Sequence, residues 1–123
     1  MPKKVQLTLN VDVYQNDGEL DKDDFKLLET ARQICANAYA PYSNFFVGAA
    51  IVLDDGTVCV GTNQENAAFP SGLCAERTAI FAASAQYPNK IIKAIAIAAR
   101  PAEKDTFLAI SPCGACRQVM SEY

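Results

Sequence analysis

The chain has 123 residues, half of them apolar and a fifth charged, with a net charge of −3 at pH 7. A single domain of this size buries about two-thirds of the surface its unfolded form exposes, so a core forms without disulfide staples. The acidic balance, with Lys3-Lys4 as the only adjacent basic pair, argues against a nucleic-acid polymer as partner, because such binding needs a basic footprint. No apolar run approaches the roughly 20 residues of a membrane span.

In chain order, Val5, Leu7, Leu9, Val11 and Val13 alternate with polar residues, the period of a strand with one buried face. This alternation lacks the continuous apolar block of a signal peptide, so a cytoplasmic location is expected. Asn16-Asp17-Gly18 turns the chain. A helix is expected from about Asp23, with Phe25, Leu28, Ala31, Ile34, Cys35 and Ala38 on one side, ended by Pro41. Phe45 to Leu53 reads as a fully apolar strand, Asp54-Asp55-Gly56 as a hairpin turn, and Thr57 to Thr62 as its partner. After a loop, a helix begins near Cys74, Ile91 to Ala99 forms another apolar strand, and a last helix opens at Gly114. The alternation of strands and helices predicts an α/β layer structure with a parallel pair joined by a right-handed crossover.

Two counts narrow the chemistry. Five cysteines, an odd number in a chain without an export signal, point to reduced thiols, metal ligands or catalytic groups rather than a disulfide framework. Histidine is absent altogether, which removes Ser-His and Cys-His nucleophile pairs and any His-ligated metal, so proton transfer must use carboxylates.

The stretches PSGLCAERTAI (70–80) and SPCGACRQ (111–118) each follow a strand region and open a helix, so two helix N-termini can converge. Converging N-termini carry partial positive charge and free amide donors, which stabilise thiolates. Cys74, Cys113 and Cys116 around one Zn²⁺ leave a fourth tetrahedral position open, the mark of a catalytic zinc site. Cys35 falls on the apolar stripe of the first helix and Cys59 in a strand, where free cysteine is ordinarily a core residue. Three thiolates give the site a net charge of about −1, which weakens the metal as a Lewis acid. Arg77 and Arg117, in the first turns of the two helices, are placed to hydrogen-bond the sulfurs and offset that charge, with surface salt bridging as the ordinary alternative for each. Glu76, taken alone, is a first-turn partner of the helix dipole.

CAER at 74–77 together with PCGACRQ at 112–118 resembles the zinc-dependent cytidine deaminases, and AYAPYSNFFVGAA (38–50) and GTNQENAAFPSG (61–72) resemble their small, free-nucleoside branch. The resemblance implies that Cys74, Cys113 and Cys116 bind zinc and that Glu76 shuttles a proton from the attacking water to ring nitrogen 3 and on to the leaving ammonia. Residues two apart on an ideal helix point to opposite sides, so Cys74 must occupy the cap position with non-helical dihedrals. The family pattern further assigns the side chains of Asn63 and Glu65 to the ribose hydroxyls, Phe45 to stacking near the pyrimidine, and the Ala75 N–H to the pyrimidine carbonyl. It implies a free nucleoside as substrate, pyrimidine salvage as context, and a homotetramer with sites shared between subunits.

Two features depart from the pattern. Phe69 stands where family members often carry tyrosine, and the chain stops at Tyr123, inside the helix that Cys116 opens. Small cytidine deaminases continue through two more strands, so the expectation is a three-layer fold with a mixed central sheet flanked by helices, lacking its C-terminal strands. Residues 1–20 read as an N-terminal extension strand and turn, and 21–123 as a C-terminally incomplete catalytic domain. Two rival functions are weighed against the deaminase. One is a thiol–disulfide oxidoreductase using Cys113 and Cys116, since CGAC opens a helix after a proline. The other is a zinc-stabilised nucleoside-binding module without turnover.

Overall fold

The computed structural model describes residues 1–123. Three strands, β1 (Phe45–Leu53), β2 (Val58–Thr62) and β3 (Ile92–Pro101), form one sheet in the order β2-β1-β3. Three α-helices accompany it: α1 (Lys22–Ile34), α2 (Ala75–Gln86) and α3 (Gly114–Glu122).

The central strand is apolar throughout because both its faces are covered, and side chains alternate between them. Ala49, Ile51 and Leu53 pack with Ala75, Ala79 and Ala83 of α2. Ala50, with Ala98 of β3, packs on the other face against Leu27, Ala31 and Cys35 of the first helical segment. The result is the expected three-layer arrangement, helix on sheet on helix, with α3 lying beside α2. Small residues dominate the contact layers, so helix backbones approach the sheet closely. At Gly48 an added Cβ would run into the carbonyl oxygen of Ala31, and at Gly61 it would lie 2.5 Å from the backbone nitrogen of Ala79 and 2.8 Å from the carbonyl oxygen of Ala75.

Local chemistry sets the helix limits. Asp21 caps α1, accepting from the Asp24 N–H at 2.8 Å, and Asp23 and Asp24 sit where the dipole favours negative charge. Beyond Ile34 the chain tightens into a 3₁₀ turn, Cys35–Asn37, before Pro41.

Two expectations are corrected. The hydrogen-bonded strand pairs are all antiparallel, β1 with β2 and β1 with β3. The hairpin reverses β2 against β1, and α2 then carries the chain across β1, so β2 and β3 run in the same direction with β1 between them. The predicted crossover therefore exists, but it joins strands that are not neighbours. The predicted strand at Val5 to Val13 is absent: residues 1–14 lack regular secondary structure, and Val5, Leu7, Leu9, Val11 and Val13 are 70–92% exposed. A strand needs a neighbour to take its backbone hydrogen bonds, and none lies alongside. The turn that follows is present as a 3₁₀ segment, Asp17–Glu19, capped by Asn16.

No helix is long and apolar enough to cross a membrane.

Candidate active site

Cys74 and Cys113 occupy the N-cap positions of α2 and α3, each with extended dihedrals (φ −69°, ψ 154° and φ −67°, ψ 167°). That conformation turns each side chain across the start of its own helix, as the spacing of Cys74 and Glu76 requires. Gly61 lets the first turns of α2 lie directly on β2, and α3 packs beside α2, so the two caps meet. The sulfurs of Cys74, Cys113 and Cys116 lie within 4.8 Å of one another. All three are free thiols, with Cys116 fully buried. The two other cysteines lie apart, as expected: Cys35 donates its S–H to the Ala98 carbonyl at 3.2 Å in the core, and Cys59 packs under α2.

The groups around these thiols treat them unequally. The Cys116 N–H donates to Cys113 Sγ at 3.4 Å, and this bond holds the Cys113 thiol below its ordinary pKa. Burial pushes the Cys116 thiol up to about 12. Arg77 Nη2 donates to Cys74 Sγ at 3.3 Å, and this bond, with the Cys116 sulfur beside it, holds the guanidinium firmly protonated. The Arg77 Nε is buried without a partner. Arg117 departs from the sequence expectation: its Nε donates to the Pro112 carbonyl at 2.9 Å, so it braces the loop bearing Cys113 instead of bonding a sulfur. Its position one residue after Cys116 turns it along the helix towards that loop.

Glu76 is the only buried charged residue of the molecule, 4% exposed, with Oε2 3.7 Å from Cys116 Sγ. An unpaired carboxylate costs several kcal/mol to bury in an apolar place. Here it stands beside a thiol cluster on the wall of a cavity of about 890 Å³.

The sugar and base candidates line the same cavity: Phe45, Asn63, Glu65 and Ala75. Asn63 extends the β2 ladder with its side chain, its Oδ1 accepting from the Val47 N–H and its Nδ2 donating to the Phe45 carbonyl, both at 2.9 Å. Glu65 Oε1 accepts from the Tyr42 and Ser43 N–H groups at 3.1 Å, and Oε2 accepts from the Ser43 hydroxyl at 2.5 Å. The Ser43 bond is the main cause holding the Glu65 carboxyl below its usual range. Ala75 opens α2, so its N–H is one of the first-turn amides that have no partner within the helix. Phe69, 91% exposed, lies on the cavity rim. Ser43 was missed by sequence reasoning; its only signal is a hydroxyl in the turn between Pro41 and the first strand.

Three thiols converging from two helix caps, with one sulfur in the interior and an arginine donating to the cluster, match zinc in softness and number. A tetrahedral zinc places its sulfurs about 3.8 Å apart, within the spread of this cluster. Comparison with known proteins agrees. Residues 21–123 match the family model of the cytidine and deoxycytidylate deaminase zinc-binding region. The chain is 47% identical over 96 residues to the cytidine deaminase of Halalkalibacterium halodurans, covering 78% of this chain and 68% of that one. Its fold is similar to the crystal structure of cytidine deaminase from Burkholderia pseudomallei, with a TM-score of 0.68 and 49% identity over 77% of this chain and 72% of that one. The corresponding protein of Mycobacterium tuberculosis gives a TM-score of 0.71 at 39% identity, over 83% and 78% of the two chains. Helix-capping thiols, buried glutamate, sequence match and fold thus converge: the chain belongs to the zinc-dependent cytidine deaminase family.

Proposed function

We propose that the protein hydrolyses free cytidine and deoxycytidine to uridine and deoxyuridine, releasing ammonia, with Zn²⁺ as cofactor. Cys74, Cys113 and Cys116 are the residues that would hold the metal, and zinc, when bound, supplies a Lewis acid that makes water a competent nucleophile near neutral pH. The single observation carrying this reading is that the one buried carboxylate of the chain, Glu76, adjoins the one cluster of three thiols.

Glu76 takes a proton from the attacking water and delivers it to ring nitrogen 3 as the oxygen adds to ring carbon 4. It then carries the second proton of that water to the exocyclic amine, which leaves as ammonia while the carbon keeps the oxygen. A carboxylate is adequate for this relay, and the chain has no histidine to compete for it. Arg77, donating to the Cys74 sulfur, offsets part of the thiolate charge and so preserves the acidity the metal would provide. Phe45 stacks near the pyrimidine, and the Ala75 N–H at the positive end of α2 meets the ring carbonyl.

A count of hydrogen-bonding capacity supports the breadth of substrate. After its two backbone bonds Asn63 keeps one N–H and one lone pair, and Glu65 keeps one lone pair on Oε2. Together these satisfy one sugar hydroxyl, which donates to Glu65 and accepts from Asn63. The second ring hydroxyl is not required, so ribose and deoxyribose both fit.

Residues 21–123 constitute the catalytic domain in this reading and 1–20 an extension. Cytoplasmic pyrimidine salvage is the setting, and a homotetramer with shared sites is the assembly. Native mass spectrometry reads metal and assembly together, with one zinc per subunit in a tetramer expected. The oxidoreductase alternative is not favoured, because it leaves Cys74 and Glu76 without a role beside Cys113 and Cys116.

The deciding experiment is Glu76→Gln. Zinc content stays at the wild-type level, while uridine production falls by at least the roughly 10²–10⁴-fold that a positioned acid–base group supplies. Unchanged turnover in that variant refutes the mechanism. An inactive wild-type chain that binds zinc and cytidine establishes the nucleoside-binding module instead.

A further inference from the structure

We propose that Ser43 is a positioning residue for nucleoside recognition, its hydroxyl tying the sugar-binding carboxylate of Glu65 to the backbone that carries the base-stacking Phe45. The proposal rests on the assignment of Glu65 and Phe45 as nucleoside contacts.

A serine hydroxyl has one proton to donate and two lone pairs. Ser43 gives the proton to Glu65 Oε2 at 2.5 Å and accepts the Phe45 N–H at 3.1 Å. The second bond is an ordinary local turn contact between a serine and the amide two residues on. The first is not: it reaches 22 residues along the chain to a group on the cavity wall.

The turn around Ser43 is built to hold that aim. Asn44 adopts φ 54°, a left-handed conformation that asparagine tolerates better than most residues. Its N–H donates to the Ala40 carbonyl at 3.0 Å and its own carbonyl accepts the Ala102 N–H at 2.9 Å. The Tyr42 N–H, the Ser43 N–H and the Ser43 hydroxyl consequently all face one carboxylate. On the other side, the Glu65 N–H donates to the Tyr39 carbonyl at 2.8 Å, so the backbones of both partners are joined before any side chain is considered.

The two amides take both lone pairs of Oε1 and hold that side of the carboxylate. Only the Ser43 hydroxyl holds Oε2, and with it the direction of the last open lone pair, the one available to a sugar hydroxyl. Losing that bond loosens a terminal torsion that is intrinsically broad and leaves only the two amides on Oε1 to restrain it, so the nucleoside must complete its ordering on binding.

The test is a double-mutant cycle on steady-state kinetics, using Ser43→Ala, Glu65→Gln and the pair, with cytidine, 2′-deoxycytidine and 3′-deoxycytidine. Ser43 is exposed, and alanine at such a surface position folds. Ser43→Ala is expected to raise the KM for cytidine roughly tenfold, the scale of one hydrogen bond to a charged group, with kcat within about twofold. The rise disappears in the Glu65→Gln background, and it disappears for the analogue that lacks the hydroxyl Glu65 accepts. Ser43→Thr, which keeps a hydroxyl, returns KM to within about twofold of wild type. A merely structural serine would shift all three substrates and both backgrounds alike, and that result overturns the proposal, as does an unchanged KM in Ser43→Ala. If Glu65→Gln itself leaves KM unchanged, the assignment of Glu65 falls and the Ser43 proposal falls with it. A raised KM in Glu65→Gln beside a wild-type Ser43→Ala sinks the Ser43 proposal alone.

Discussion

Gly61→Ala tests whether the seat of α2 on β2 holds the candidate metal centre together. The new Cβ would stand 2.5 Å from the Ala79 nitrogen, 2.8 Å from the Ala75 carbonyl oxygen and 3.0 Å from the Ala79 Cα. All three are backbone atoms of one helix, so no side chain can rotate away. Restoring an ordinary contact of 3.4 Å requires α2 to move by about 0.9 Å. Overpacking of that kind costs about 1–3 kcal/mol. The displaced helix bears Cys74 at its cap and Glu76 in its first turn, whereas Cys113 and Cys116 belong to a separate helix. The shift therefore pulls one sulfur and the carboxylate away from the other two sulfurs, and misplacement by about 1 Å lowers turnover by up to roughly 10²-fold. Urea unfolding, zinc retention against a chelator and kcat/KM for cytidine are the assays. Gly114→Ala is the control: it lies between two of the thiols at the first position of α3, yet its added Cβ meets nothing within 4 Å. There alanine should leave kcat/KM unchanged and add about 0.4–1 kcal/mol of stability. A Gly61→Ala protein within about 0.5 kcal/mol and twofold of wild type refutes the argument that backbone contact positions the site.

The sequence carried the elements that are strong in their own periods. Phe45 to Leu53 is apolar at every position because both faces are buried, and it is β1 with the same limits. The caps were legible too: cysteine, glutamate and arginine cannot pack as a core face, so PSGLCAERTAI had to place them at a helix start. Strand order was not legible. Period-two alternation says which face of a strand is apolar, but the neighbour of that face is a property of the whole chain. The same pattern at Val5 to Val13 therefore suggested a strand where no partner edge lies alongside, and β3 was expected parallel to its neighbour where it is antiparallel. Contacts at the site divide in the same way. Arg77 is three residues from Cys74 and reaches its sulfur along one helix face. Arg117 stands four residues after its own cap cysteine, Cys113, and bonds the loop carbonyl of Pro112, since the loop path is absent from any spacing rule. Ser43 meets Glu65 only because Tyr39 and Gln64 form a bridge between two loops.

Removing residues 1–14, which make no hydrogen bond within the chain and are exposed throughout, should leave zinc content and kcat/KM unchanged and stability within about 0.5 kcal/mol by urea unfolding. A loss several times larger would show that the segment packs somewhere in solution. The protonation of Glu65 supplies a prediction with a definite sign. Hydrogen bonds from the Ser43 hydroxyl and the Ser43 and Tyr42 amides stabilise its charged form, so its folded pKa lies below the ordinary 4.5. The contribution of such a carboxylate is complete above pH 4.5 and is lost as pH falls through the lower folded value. Carbon-13 NMR of the side-chain carboxyl should therefore place its midpoint below 4.5, and Ser43→Ala should move that midpoint upward, because the largest of the stabilising bonds is gone. The direction separates two causes. A desolvated carboxylate titrates above the ordinary value and falls when a neighbouring side chain is cut back to admit water. A hydrogen-bonded one titrates below it and rises, so a Glu65 midpoint above 4.5, or a fall in Ser43→Ala, contradicts the hydrogen-bond network described for this turn.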